Sequence, residues 1–346
     1  MRKKKAVTLH DLSARSGLSV QTISKALRGL PGMSEESRER LVQLARELGY
    51  RTKGQELAHA VEHIPLRPSK PFRFKLVASE HFERFDMIRL ILHGLQSKFA
   101  EYGHTVEIVQ IPRELERPST LADWAETYHI AYCDGLFIAP MIGFEQERFL
   151  LGCEVPRVLI NFPGHAARVD SVAWDVGTAI HQSVRHLHAN GHKRIMYVGK
   201  TGTFRGFVRR WQAFEAAMQE AGLDSDRDRQ LITDDIAQPD WTQAFIAKVH
   251  EHQPTAVIHA NSEASWVYHA CARAGKQIPE QLSLIGLEHD QHPFFPELTR
   301  PILLIREAGV RAAERMLWRI ANPAQPYEHV LLQGGFYEGT TVSRLL

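Results

Sequence analysis

The sequence of 346 residues predicts a small all-α head, a linker and a larger α/β body built on parallel sheets. Short amphipathic helical patterns fill residues 8–48, whereas prolines and basic residues break the pattern between residues 55 and 73. Beyond that segment, apolar runs alternate with helical patterns. Because a chain of this length exceeds what one hydrophobic core usually holds, we divide it into a head at 1–53, a hinge and linker at 54–71 and a body at 72–346.

The first two helices are predicted from residues 8–28, TLHDLSARSGLSVQTISKALR. Thr8 and Ser19 each stand before an apolar-periodic stretch, where a hydroxyl accepts the free backbone N–H groups of a first helical turn. Between the stretches, Gly17 can adopt the positive φ that ends one helix and lets the next one cross it. The pattern therefore predicts a helix-turn-helix, with a small helical hairpin of polar surface as the alternative.

The second helix of this pair has a polar and cationic outer face without an acidic residue. The residues on this face are Val20, Gln21, Thr22, Ser24, Lys25 and Arg28. Such a face is suited to the base edges and phosphates of DNA. The charge distribution agrees, because residues 1–60 hold 12 Lys and Arg against 6 Asp and Glu, while the remainder holds 30 against 34. A basic head on an acidic body is expected of a phosphate-binding head.

A third short helix is predicted after Ser34, over the segment EESRERLVQLAREL. Its apolar residues recur at helical spacing, acids occupy its first turn, and Gly49 follows its last turn. Three short helices within about 50 residues make a compact head of the kind that reads DNA.

The segments VTLHDLSARSGLSVQTISKALRG and PGMSEESRERLVQLARELGYR resemble the head of the lactose/galactose repressor family of bacterial transcription regulators. The match is nearly unbroken from Val7 to Arg51, and fainter matches continue at CDGLFIAP, NGHKRIMYVG and IPEQLSLIG. The resemblance implies a repressor that binds a near-palindromic operator as a homodimer or higher oligomer. It also implies a two-lobed, periplasmic-binding-protein-like body with a small-molecule effector, such as a sugar, in its cleft.

Correspondence with the family's recognition helix implies a role for each head residue. Base-edge contacts are expected from Val20, Gln21 and Lys25. Phosphate contacts are expected from Thr8, Ser19, Thr22, Ser24 and Arg28. Glutamine can form two hydrogen bonds with adenine, lysine reaches the acceptors of guanine, and valine offers only apolar contact.

The hinge departs from the family, whose linker forms a short helix on DNA and inserts a leucine into the minor groove. At the corresponding position, nine residues after Tyr50, this chain has His59, flanked by Leu57 and Val61. A histidine is polar and partly protonated near neutral pH, so it favours phosphate or base-edge contact over intercalation. We therefore expect weaker central bending of the operator than is usual for the family.

In the body, apolar runs such as FRFKLVAS, GLFIAP and LSLIGL predict buried strands. Helical patterns between several of them predict parallel sheets with crossover helices, whose ligands bind beyond the carboxyl ends of the strands. We expect lobe one at about residues 72–168 and 299–325, and lobe two at about 169–298 and 326–346.

Polar or aromatic residues follow several of these strands or open the next helix. The candidate effector contacts, which also match the family's ligand positions, are Asn161, Trp174, Asp175, Arg210, Trp241, Asn261 and Glu288. Planar rings, amides, carboxylates and a guanidinium suit a hydroxyl-rich ring. The alternative is that Trp174 and Trp241, the latter expected in a loop, are packing residues and that Arg210 is a helix-surface charge.

The candidate cleft is poorer in acids than that of the family. Asn161 and Ser262 stand where the family has aspartates, and Glu288-His289 replaces an Asp-Asp pair. Two or three acidic acceptors for sugar hydroxyls are therefore missing. An unusual sugar, a non-sugar effector and a repurposed cleft all remain open.

Other classes of function have little support in the sequence. No apolar run approaches the ~20 residues of a membrane span, no secretory signal is present, and three scattered cysteines fit a reducing cytosol, so we expect a cytoplasmic protein. Nucleophile and phosphate-loop motifs are missing, and histidines two apart diverge on a helix, so we expect neither an enzyme nor a metal or cofactor. A binding protein without DNA regulation is the alternative, but it has no use for the basic head.

The helix predicted between Met87 and Tyr102 has a broad apolar face. This face is formed by Ile88, Ile91, Leu92 and Leu95. It can pack on the lobe's own core or, in part, against a second subunit.

Overall fold

The computed structural model describes residues 7–27, 30, 32–48, 50, 70–80, 86–202, 204–233, 238–261, 264–287 and 295–345. The chain divides into two compact units. One consists of Met1–Pro65 with the short segment Ile320–Pro323, and the other of Leu66–Arg319 and Ala324–Leu346. We call them the head and the body and describe each by itself.

The head contains three helices at the predicted places: α1 (Leu9–Ser16), α2 (Val20–Leu27) and α3 (Glu35–Leu48). The predicted caps are present, since the backbone N–H of Thr22 donates to Ser19 Oγ and the φ of Gly17 is 71°. Apolar side chains from all three helices form one small core, made of Leu12, Ile23, Ala26, Leu41 and Ala45.

The first sheet of the body is parallel throughout and defines lobe one. Its strands follow the order β11-β5-β4-β3-β1-β2. The strand bounds are β1 (Arg73–Ser79), β2 (Thr105–Ile111), β3 (Gly135–Ile138), β4 (Arg157–Leu159), β5 (Asp170–Trp174) and β11 (His329–Leu332). The helices of this lobe are α4 (Asp86–Ala100), α5 (Pro118–Thr127), α6 (Phe144–Gly152) and α11 (Ile305–Ala321), with a 3-10 turn at Ile130–Tyr132.

The second sheet, also parallel, defines lobe two and has the order β7-β6-β8-β9. Its strands are β6 (Ile195–Gly199), β7 (Leu231–Ile232), β8 (Ala256–His259) and β9 (Ser283–Gly286). Its helices are α7 (Val176–Ala189), α8 (Arg205–Glu220), α9 (Gln238–His252) and α10 (Ser265–Arg273), with a 3-10 turn at Arg227–Arg229. A short antiparallel pair, β10 (Arg300–Pro301) with β12 (Phe336–Tyr337), accompanies the two sheets.

The division between the lobes differs from the expected one. Residues 170–174 and 329–332 were assigned to lobe two, yet both form strands of the first sheet, where β11 pairs with β5 and β5 with β4. Farther along, Thr341 Oγ1 donates to the carbonyl of Leu284 in β9, so the chain's end returns to lobe two. The reason is that an apolar run predicts a strand but not the sheet to which it belongs, both for the buried β5 and for β11 at the edge of the sheet.

A buried ion cluster fixes strand β5 to lobe one. Asp170 is fully buried and accepts hydrogen bonds from Nε of Arg315 at 2.8 Å and Nε of Arg319 at 2.5 Å, both on α11. The backbone N–H of Glu328 adds a third at 2.9 Å. Burial alone would raise the pKa of Asp170, but the hydrogen bonds from Arg319, Glu328 and Arg315 outweigh it and lower that pKa.

The apolar face of α4 is used within this chain. Ile88, Ile91 and Leu95 are at most 2% exposed, and only Leu92 of the four is partly accessible. The predicted use of this face by a second subunit is therefore reduced to one partly buried side chain. The helix packs closely on α11, because a Cβ on Gly309 would lie 2.3 Å from the carbonyl oxygen of Ile91.

Replacing Gly309 by alanine is expected to lower the free energy of unfolding by about 1–3 kcal/mol, because the added methyl group would force α4 and α11 apart. Urea unfolding of the full chain measures this change. The control is Gly152→Ala at the end of α6, where nothing lies within 4 Å of a Cβ and stability should be kept or slightly raised. Equal effects of the two substitutions would show that the helix contact is looser than described.

Candidate DNA-binding surface and effector cleft

Helix α2 presents part of its predicted reading face to solvent. Gln21 and Lys25 are exposed and lie four residues apart, so their side chains share one side of the helix. Ile23 and Ala26 are buried on the opposite side and anchor α2 to the head core. The exposed side of α2 thus carries an amide and an ammonium group, which are suited to contact base edges in a groove of DNA.

The expected phosphate contacts differ in how far their side chains are already engaged. The hydroxyl of Thr8 donates to a carboxylate oxygen of Asp11 at 2.7 Å, and Ser19 and Thr22 share a hydrogen bond of 2.8 Å. Val20 and Ser24 are half-buried, and Ser24 is already engaged in a contact within the protein. The remaining predicted DNA contacts, Arg28 and His59, lie outside the described residues.

Two predicted effector contacts, Arg210 and Asn261, lie near the carboxyl edge of the second sheet. Arg210, on α8, donates from Nη1 to the carbonyl oxygen of Ala260 at 2.7 Å, just beyond β8. Asn261 follows, and its Nδ2 lies 3.5 Å from the hydroxyl of Thr233 beyond β7. The Nε of Arg210 and the Oδ1 of Asn261 are buried and have no hydrogen-bond partner among the described residues. These groups therefore have unused hydrogen-bonding capacity at the edge where ligands of parallel sheets bind.

His259, the last residue of β8, adds a neutral polar group to this edge. Its side chain is 2% exposed, and its Nδ1 has no partner among the described residues. Burial, and after it the charge of Arg210, lowers the pKa of His259 to about 4. Burial also lowers the pKa of Arg210 itself. The histidine is therefore uncharged at neutral pH beside a buried guanidinium group.

The candidate contacts of lobe one also lie at strand ends. Trp174 ends β5 and is 7% exposed, and its indole N–H has no partner among the described residues. Asp175 caps α7 by accepting from the N–H of Thr178 at 2.9 Å and from its hydroxyl at 2.6 Å. Asn161 accepts the N–H of Phe162 at 2.8 Å. Among the described residues, the Trp174 N–H thus has no acceptor, whereas Asp175 uses both of its carboxylate oxygens locally and Asn161 uses its amide oxygen.

The expectation that Trp241 lies in a loop is wrong. The residue belongs to the first turn of α9, is 2% exposed and stacks on Phe245 with ring centroids 5.3 Å apart. Its ring also meets Trp266 and His259 edge to face. A proline near the start of a helix is favourable because its missing N–H needs no partner there, so Pro239 begins this helix instead of breaking it. Trp241 therefore packs within lobe two, and its contact with an effector stays a prediction. Glu288 lies outside the described residues.

A link between the lobes was not predicted. Arg205, in the first turn of α8, donates from Nε to the carbonyl oxygen of Phe162 at 2.6 Å and from Nη2 to a carboxylate oxygen of Glu147 at 2.5 Å. One turn later, the guanidinium of Arg209 lies 4.5 Å from the centre of the Phe162 ring. Glu147 and Phe162 belong to lobe one, whereas both arginines belong to lobe two. The available signal was the arginines at the N-terminal end of α8, where the helix dipole disfavours cations.

Within the described residues, no group of three or more His, Cys, Asp or Glu side chains could hold a metal ion. None of the helices in that part of the chain combines the length and apolar character needed to cross a bilayer.

The lowered pKa of His259 predicts that acid weakens the fold. Between pH 6.5 and 4 the unfolded chain takes up a proton on this residue and the folded chain does not, so the free energy of unfolding should fall with pH. The change at this one residue is on the order of 3 kcal/mol. Burial lowers the pKa of His104 and His192 in the same direction.

Urea unfolding measured from pH 7 to pH 4.5 tests this expectation. His259→Gln should reduce the dependence of stability on pH, whereas the control His250→Gln, at an exposed position of α9, should leave it unchanged. An identical pH dependence in the wild-type chain and in His259→Gln would contradict the assigned pKa.

Models of known protein families match segments of both the head and the body. A model of the lacI family of bacterial regulatory proteins matches residues 8–53, and a model of a periplasmic binding protein-like domain matches residues 184–342. The transcriptional repressor CytR of Escherichia coli K12 is 25% identical over 300 residues, which cover 83% of this chain and 82% of CytR.

Two solved structures have the same fold. A complex of the transcriptional regulator CelR with cellobiose has a TM-score of 0.68 at 18% identity and covers 97% of this chain and 99% of its own. A lac repressor dimer bound to operator and an anti-inducer has a TM-score of 0.66 at 18% identity, covering 98% and 100%. The helical head, the two parallel sheets and the family matches lead to one conclusion: the chain is a DNA-binding transcription regulator of the lacI family.

Proposed function

We propose that this chain is a repressor that binds a near-palindromic operator as a homodimer and is controlled by a small molecule between the lobes of its body. The single observation that carries the proposal is the set of buried polar groups without partners at the edge of the second sheet. A protein that only had to fold would satisfy or avoid such groups, because each costs about 1–3 kcal/mol. Their presence indicates a ligand.

DNA binding rests on the head. The exposed Gln21 and Lys25 supply hydrogen bonds to base edges, and the N-cap hydroxyls of Thr8 and Ser19 lie at helix ends, where backbone N–H groups suit phosphates. The lac repressor relative is bound to operator in its solved structure. Because the target is DNA, we place the protein in the cytoplasm.

Dimerisation follows from the size of the head. One recognition helix reads only a half-site, so tight and specific binding needs two heads on a two-fold operator. The lac repressor relative is a dimer. Since α4 buries its apolar face within the chain except for the partly accessible Leu92, we place most of the contact between subunits on other surfaces of the body.

Effector control rests on the cleft. Arg210, Asn261 and Trp174 have donors or acceptors that no described residue satisfies, and the CelR relative holds a sugar, cellobiose. Arg205 and Arg209 reach Phe162 and Glu147 across the lobes, so any ligand that moves α8 changes how the lobes close. We propose that this closure adjusts the spacing of the two heads of the dimer.

Replacing Gln21 by alanine should cost about 1–3 kcal/mol at one base pair and relax the preference there, because a bidentate contact is lost. Operators are first selected from random duplexes with the wild-type protein, and affinities are then measured by fluorescence anisotropy at fixed salt. Gln43→Ala, at an exposed position of α3, is the matched control. If Gln21→Ala lost the same affinity for every duplex, Gln21 would not contact a specific base pair.

Replacing Arg205 by methionine should open the two lobes, because the links to Phe162 and Glu147 are lost. Small-angle scattering of the ligand-free protein should then show a larger radius of gyration, and the operator affinity should change as well. Arg185→Met, at an exposed position of α7, removes the same charge and should leave both unchanged. If Arg205→Met matches the control in both measurements, Arg205 does not couple the lobes.

A further inference from the structure

Arg210 is a buried cation with almost none of its bonding capacity used. The side chain is 6% exposed, and of the five N–H donors of a guanidinium, one bond is formed, to the carbonyl oxygen of Ala260. Its Nε has no hydrogen-bond partner within the part of the chain that the structure describes, and the ring of Phe207 lies 5.5 Å from its central carbon. Among the described residues, no carboxylate forms an ion pair with it.

The surroundings of Arg210 do not offset its charge. His259 beside it is neutral near pH 7, and Asn261 and Ala260 offer only an amide and a carbonyl. The acids on the lobe-one side are engaged elsewhere, since Glu147 pairs with Arg205 and Asp175 caps α7. Removing one partner of a buried ion pair is strongly destabilising, because the remaining charge has lost both water and its counter-ion. Among the described residues, Arg210 has no counter-ion of this kind.

The sequence also has fewer acidic residues in the candidate cleft than its relatives have. Asn161 and Ser262 stand where relatives have aspartates, and Glu288 is the one acid at the position of their Asp-Asp pair. The cleft is therefore poorer in acids than that of its relatives, beside a retained arginine. A neutral sugar needs carboxylates that accept its hydroxyl protons, whereas an acid needs donors and a cation. The change in side chains therefore fits a ligand that brings its own negative charge.

We infer that the effector is an anionic metabolite, a small hydroxylated molecule with a carboxylate or phosphate group, and that this group pairs side-on with the free N–H donors of Arg210. Both acids present two oxygens to the planar guanidinium fork, which makes such pairs strong and directional. The inference rests on the proposed effector role of the cleft and goes beyond it by naming the charge of the ligand.

The test measures the melting temperature of the full-length protein with matched probes: glucose, gluconate and glucose 6-phosphate, then acetate and inorganic phosphate in large excess, with sodium chloride at equal ionic strength. At least one anionic probe should raise the melting temperature while glucose and sodium chloride do not. Gluconate and acetate report a carboxylate site, and the two phosphates report a phosphate site.

Two variants assign the effect to Arg210. Arg210→Met should weaken binding of the active anion about 10–100-fold, because charge-assisted hydrogen bonds are lost. It should also raise the melting temperature of the ligand-free protein, because an unpaired buried charge is removed. Arg185→Met, at an exposed position, should retain the wild-type response in both measurements.

The inference is overturned if glucose stabilises the protein as much as gluconate does, or if none of the anions has an effect. It also fails if Arg210→Met lowers the melting temperature of the free protein, since an acid of the chain such as Glu288 would then neutralise the arginine. Operator affinity measured with the same probes separates the two proposals. If glucose alone changes it, the cleft is an effector site without anionic preference; if no probe changes it, the effector role itself fails.

Discussion

The geometry of the body depends on one buried carboxylate. Asp170 joins strand β5 to two arginines of α11 and to the backbone that enters β11, so it holds together the segments through which the chain connects its lobes. Four and five residues beyond it stand Trp174 and Asp175, two of the candidate effector contacts. Breaking a buried pair of this kind by removing one partner costs about 3–5 kcal/mol. The strand end of lobe one that carries these candidate contacts is therefore positioned by a buried charge cluster.

The same physics gives Asp170 and Arg210 opposite roles. Both are charged side chains taken out of water, but the carboxylate of Asp170 accepts from two guanidinium groups and a backbone N–H, while the guanidinium of Arg210 donates to one carbonyl. A compensated charge fixes local geometry, because its partners oppose any displacement. A buried charge without a partner raises the free energy of the ligand-free protein. A ligand that neutralises this charge removes the cost, and the free energy gained adds to its binding.

Local and non-local structure were predictable from the sequence to different degrees. The caps at Thr8 and Ser19 and the turn at Gly17 depend on neighbours within a few residues, and the strands depend on continuous apolar runs, so both were predictable. The sheet that receives β5 depends on pairing across the fold, and so does the contact of Arg205 with Glu147, 58 residues away in the chain. The prediction of a loop at Trp241 was wrong for another reason, because a proline such as Pro239 is tolerated near the start of a helix but breaks its interior.

Helix α8 carries both the arginines that contact lobe one and the buried Arg210 of lobe two. Arg205 and Arg209 are one turn apart on the side that meets Phe162 of lobe one, while Arg210 is rotated about 100° from Arg209 and faces β8 of its own lobe. All three are rigidly joined, since the buried Trp211 and Phe214 anchor the same helix in the core of lobe two. Under our proposal, a ligand group that pairs with Arg210 acts, through one helix, on the contacts between the lobes. Recognition and closure are separated by only five residues, so no longer chain of contacts is needed to couple them.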